Sequence, residues 1–148
     1  MTLAASTQDP VAVANRLRPV LVQLSRQLRR ELHLLGVSAG QVSLLGAIRD
    51  TPGIGVADLA AREGMSAPSI CSHIDRLEAS GLVTRTRDET GDRRRVGLRI
   101  TAEGARVLRT VRSRRTAWLA ARLEALMPEE RERVAGAVDA LAHLVAQR

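Results

Sequence analysis

Phenylalanine and tyrosine are absent from this 148-residue chain, and Trp118 is its single aromatic residue. A β-sandwich draws heavily on aromatic and β-branched side chains, so the absence argues against one. Small aliphatic residues supply most of the 45% that is apolar, and these suit helices whose axes approach closely. A lone cysteine, Cys71, excludes an internal disulfide framework. No apolar run reaches the roughly 18 residues of a membrane-crossing helix, so no membrane partner is expected. Met1 to Asp9 lacks a basic stretch followed by an apolar one, so no signal peptide is expected and cytoplasmic residence follows. Lysine is missing too: all 23 basic residues are arginine. GC-rich codon usage gives that bias, and so does work on nucleic acid, where guanidinium groups fork onto phosphates and guanine edges.

Signatures of catalysis are missing as well. There is no glycine-rich phosphate loop and no nucleophile motif. His33, His73 and His143 fall on three separate predicted helices with no paired ligand nearby, which leaves no metal-binding spacing. The sequence therefore predicts a protein that is not an enzyme and carries no cofactor.

What is present is basic charge, unevenly placed. The net charge is +7. From Arg76 to Arg115 twelve arginines stand against five acids (Glu78, Asp88, Glu89, Asp92 and Glu103), a surplus that accounts for the whole net charge. A localised basic stripe is the electrostatic footprint of phosphate binding.

The pattern along the chain is mainly helical. Residues 1–9 read as a flexible end, with Asp9 and Pro10 as N-cap and first position of a helix. Leu17, Leu21, Leu24, Leu28, Leu32 and Leu35 recur at spacings of three and four, one face of a long helix closed by Gly36. Pro19 inside it predicts a kink or the true start. Ser38 and Gln41 fit a capping box for a second helix, with Val42, Leu45 and Ile48 inward. A short third helix is expected over Val56 to Glu63, with Leu59 and Ala60 inward, and Gly64 closes it. Ser66 caps a fourth helix, with Ile70, Ile74 and Leu77 as its buried stripe. The period then changes from 3.6 to 2. Leu82 to Arg87 and Val96 to Ile100 read as two strands around the turn cluster Asp88 to Asp92, a β-hairpin with a basic tip and outer face. Thr101 caps a helix reaching about Leu126, and Pro128 opens a last helix with Val134, Val138, Leu141 and Val145 in line.

This order is mainly α with a small β-wing: a winged helix-turn-helix domain over 38–101, flanked by long dimerisation helices at 10–36 and 102–148. In such a domain the helix ending at Glu63 braces the next across a tight turn, so that the next helix can enter the major groove. The hairpin offers Arg93, Arg94 and Arg95 to an adjacent groove, where a narrow minor groove attracts arginine. The apolar stripes on the outer helices exceed what a domain of 38–101 can cover, which predicts a homodimer.

Four stretches resemble the MarR family of bacterial transcription regulators: Val56 to Ala60, Ile74 to Val83, Asp92-Arg93-Arg94, and Val96 to Gly104 with its Thr-x-x-Gly ending. The resemblance implies dimers with interlaced outer helices that bind pseudo-palindromic double-stranded DNA, usually repress, and often release DNA on meeting a small aromatic or lipophilic effector. By position it implies that Arg94 enters the minor groove and that Asp92 orients it. Cys71 and Ser72 stand where relatives often have threonine and arginine, which shifts the expected readout toward the wing and DNA shape.

Ser66, Pro68, Ser69, Ser72, His73 and Arg76 are the candidate contacts on the fourth helix. Asp92, Arg93, Arg94 and Arg95 are those on the wing. Each has a plainer alternative: Ser66 as a cap alone, Asp92 as a turn former, Arg93 and Arg95 as solvated charge. Arg76 fits a phosphate contact or an internal pair with a wing carboxylate such as Asp92. Arg16, His33 and Trp118 are candidates for an effector pocket, with Trp118 equally readable as a core or interface anchor. Cys71 reads as a packed residue or a redox sensor. Two other functions stay open: an architectural DNA-binding protein with little sequence preference, and a helical ligand- or partner-binding module that has lost DNA binding.

Overall fold

The computed structural model describes residues 9–87 and 96–146. Six helices and one hairpin follow in the order α1 (Pro10–His33), α2 (Ala39–Asp50), α3 (Val56–Glu63), α4 (Ala67–Ala79), β1 (Val83–Arg87), β2 (Val96–Ile100), α5 (Ala102–Glu124) and α6 (Pro128–Ala146). Two compact units divide the chain, Met1–Arg112 and Ser113–Arg148.

Local chemistry sets most of the helix ends. The Asp9 carboxylate accepts from the Val11 and Ala12 amides, ahead of Pro10 at the first helical position. The capping box is complete: the Gln41 amide donates to Ser38 Oγ at 3.1 Å and the Ser38 amide to Gln41 Oε1 at 2.9 Å. Gly64, at φ +62°, closes α3 in the left-handed conformation, and the Met65 amide reaches back to the Ala60 carbonyl. α1 starts at Pro10 as expected and departs from expectation at its end. It runs from Pro10 through Pro19, so Pro19 is not its start, and it stops at His33, a turn short of Gly36. Pro19 can donate no amide hydrogen, which leaves one rung of that helix unmade.

The first unit holds the core. Leu44, Leu45, Ile48, Leu59, Ile70, Ile74, Leu77, Val83 and Leu98 are buried in one cluster joining α2, α3, α4 and the hairpin. Leu32, Val37 and Val111 form a smaller one, which ties the end of α1 to α5 within this unit. The predicted stripe of α2 is shifted: Leu44 and Ala47 are buried beside Leu45 and Ile48, while Val42 is only half-buried.

The hairpin is antiparallel, with Val83 opposite Ile100, Arg85 opposite Leu98 and Arg87 opposite Val96. Opposed residues share a face of a sheet, so Arg85 and Arg87 lie on the same side as buried Val83 and Leu98. The outer side carries Thr84, Thr86, Gly97 and Arg99. The predicted basic outer face is therefore half right, since only Arg99 of these arginines is on it. A third edge, absent from the sequence reading, joins β2: Ile54 bridges Leu98, with the Leu98 amide donating to the Ile54 carbonyl at 2.9 Å. Gly97 is required there, because a Cβ would lie 2.8 Å from the Gly53 carbonyl oxygen.

In the second unit, α5 ends at Glu124, two residues before Leu126. Arg131 of α6 donates to the carbonyls of Leu123, Glu124 and Leu126, satisfying acceptors that the end of α5 leaves without partners. No helix among the described residues is long and apolar enough to cross a membrane.

Candidate nucleic-acid interface

α3 and α4 form the helix-turn-helix pair. Only Gly64, Met65 and Ser66 separate them. Ser66 caps α4: its Oγ accepts from the Ser69 amide at 3.4 Å and donates to Ser69 Oγ at 2.9 Å. The capped end leaves backbone amides and the positive end of the helix dipole pointing outward, a setting that favours phosphate.

Helical spacing gives α4 three faces. Ile70, Ile74 and Leu77 are fully buried and fix the helix to the core. Ser69, Ser72, His73 and Arg76, spaced by three, four and seven residues, share a second face; His73 is half-buried and the others are exposed. Ser66 and Pro68 are exposed at the helix start. The sequence-predicted helix contacts thus come together as one solvent-facing surface. Cys71, Asp75 and Glu78 make the third face, and Cys71 is exposed on it.

That third face meets the wing. Arg85 of β1 donates to Asp75 Oδ1 at 2.7 Å and lies 3.0 Å from Glu78 Oε2. Its pKa is raised above the ordinary value, chiefly by the hydrogen bond to Asp75; burial, the next largest effect, opposes this, and the charges of Glu78 and Asp75 add to it. This pair was not expected from the sequence, which offered Arg76 either a phosphate or a wing carboxylate such as Asp92. Arg76 is exposed, while Asp92, Arg93, Arg94 and Arg95 lie outside the described residues. The overlooked signal was strand alternation: Arg85 is two residues from buried Val83, on the side turned toward the helices.

The wing's far end is locked to α5. Thr101 Oγ1 donates to the Gly81 carbonyl at 2.7 Å and accepts from the Gly104 amide at 3.0 Å. The Thr101 amide also reaches the Leu82 carbonyl at 3.1 Å.

Comparison with known proteins agrees with this geometry. Residues 35–95 match the model of the MarR family. The uncharacterized HTH-type transcriptional regulator Mb0904 of Mycobacterium bovis is 32% identical over 133 residues, spanning 90% of this chain and 92% of its own. The chain belongs to the MarR family. Among solved structures, a transcriptional-regulator protein of Pseudomonas aeruginosa PA01 superposes on this MarR chain with a TM-score of 0.80 at 31% identity, over 93% of this chain and 96% of the other. A mutant of Staphylococcus aureus MepR bound to an oligodeoxyribonucleotide shares the fold, with a TM-score of 0.71 at 21% identity over 89% and 97% of the two chains. The relatives are transcription regulators, a non-enzymatic role.

The residues suggested for an effector pocket are placed as follows in the MarR chain. Arg16 and His33 are exposed on α1. Trp118, in the second unit, is half-buried, with the Arg122 guanidinium 3.6 Å from its ring centroid. Among the described residues no group of three or more His, Cys, Asp or Glu side chains could hold a metal ion.

Proposed function

We propose that this MarR-family regulator is a cytoplasmic, homodimeric repressor that binds a pseudo-palindromic operator and leaves it when a small aromatic or lipophilic molecule binds. The observation that supports this most is α4 itself: a capped helix on a buried stripe, with Ser69, Ser72, His73 and Arg76 presented together beside the wing. Small hydroxyls and an arginine on one face suit phosphate and base-edge contacts. Residues 38–101 are the DNA-binding domain. On the wing, Arg94 enters the minor groove, Asp92 orients it, and Arg93 and Arg95 meet phosphates. Residues 10–36 and 102–148 carry the dimer interface, in keeping with exposed Val20, Leu21 and Leu24 on α1 and exposed Val134, Val138 and Leu141 on α6. Arg16, His33 and Trp118 belong to the effector site.

A hydroxyl-radical footprint of the purified protein on the DNA upstream of its own gene tests the reading. Two protected half-sites about one helical turn apart are expected. Uniform protection without boundaries marks an architectural protein instead, and no protection at low salt marks a ligand- or partner-binding module.

A further inference from the structure

The sequence places two carboxylates, Asp75 and Glu78, on the very helix proposed to meet DNA. Left unpaired, they would repel phosphate. They lie one helical turn apart on the third face of α4, away from Ser69, Ser72, His73 and Arg76, and both converge on Arg85. Arg85 comes from the middle of β1, opposite Leu98, and its side chain is 35% exposed. Two contacts at 2.7 and 3.0 Å from one guanidinium to two anions use its planar fork, a geometry lysine cannot reproduce. The strand is anchored already, by buried Val83 two residues before Arg85 and buried Leu98 opposite it. Arg85 is the one charged cross-connection between α4 and the hairpin among the described residues.

From this we infer that Arg85, Asp75 and Glu78 are positioning residues that fix the angle of the wing to the recognition helix, and that Arg85 is not a DNA contact. This rests on the DNA-binding reading above. In a protein that grips two grooves at once, the angle between its two reading elements decides whether both engage together. The clamp holds that angle before DNA arrives, which reduces the ordering that binding would otherwise demand.

The test turns on a sign. Simple electrostatics says that removing two negative charges from a DNA-binding helix strengthens binding. The clamp says the opposite. Asp75→Asn/Glu78→Gln in the full chain is expected to weaken operator binding roughly threefold, within the range of a partly exposed ion pair. Arg85→Ala is expected to weaken it by a similar factor with an unchanged salt slope, because no phosphate contact is lost. The triple variant should be no weaker than Arg85→Ala alone, the non-additivity of groups acting as one unit. Tighter binding by the carboxylate variant overturns the proposal. So does a salt slope reduced by about one in Arg85→Ala, the signature of a lost phosphate contact.

A second readout needs no DNA. Hydrogen exchange over residues 83–87 and 96–100 is expected to be several-fold faster in Arg85→Ala, with α2 unchanged. Equal exchange in the two proteins overturns the clamp. A wild-type chain that ignores its DNA while showing the exchange difference would refute the DNA-binding reading and leave the clamp standing.

Discussion

Gly104 shows how a single residue lets the hairpin pack against α5. A Cβ at this position would collide with the Leu82 carbonyl oxygen and lie 2.7 Å from Ile100 Cγ1. Backbone cannot step aside as a flexible side chain can. Gly104→Ala is therefore expected to destabilise the protein by about 1–3 kcal/mol, the usual effect of overpacking, read from urea denaturation midpoints; an unchanged midpoint would contradict the packing described. One position earlier, Glu103 pairs with Arg106, whose Nε lies 2.8 Å from the carboxylate. The hydrogen bond from Arg106 holds the Glu103 carboxyl below its ordinary value. A depressed carboxyl pKa adds stability above the unfolded-state pKa, and that contribution disappears as pH falls through the folded-state value. Carbon-13 NMR titration should find Glu103 ionising below the usual glutamate range, and Arg106→Gln should raise it; a titration that Arg106→Gln does not move would refute the pairing. At this scale the sequence was readable wherever a residue acts on its own neighbours, as Asp9, Ser38, Ser66 and Thr101 do. For Arg85 it offered only strand alternation, because the partners of Arg85 are brought to it only by folding.

Among elements, α3 and α4 carry the clearest correspondence between pattern and structure. Ile70, Ile74 and Leu77 recur with helical period and are fully buried, so periodicity alone located α4. Leu77→Ala is expected to cost about 2–5 kcal/mol, because the side chain is fully buried in the main core cluster. Ser38→Ala, which removes the capping box of α2, is expected to cost about 1 kcal/mol. Thermal or urea unfolding with the larger loss at Ser38 would contradict this ranking. The Ile54 bridge escaped notice because a single bridging residue has no period to detect. Pro19 does not mark the start of α1, because an exposed rung of a long helix tolerates a missing bond when the rest of the helix is continuous. The apolar stripes of α1 and α6 were legible as stripes, yet only Leu32 of α1 is buried and no residue of α6 is.

For the whole molecule, those uncovered stripes are the strongest argument for association. Sedimentation at micromolar concentration is expected to give about twice the 16.0 kDa of the chain, and a species of 16.0 kDa would contradict the proposed dimer. Charge is the other global property. A surplus concentrated between Arg76 and Arg115 makes DNA binding steeply dependent on salt, and neutralising Arg93 or Arg95 should lower that dependence by about one phosphate contact. The central claim, a sequence-specific operator binder, is tested most directly by fluorescence anisotropy on the gene's own upstream DNA, with a scrambled duplex of equal length as competitor and salt titrated. Tight binding to the native duplex that survives the competitor and weakens steeply with salt is the predicted result. Equal binding to both duplexes, or none at low salt, would contradict it.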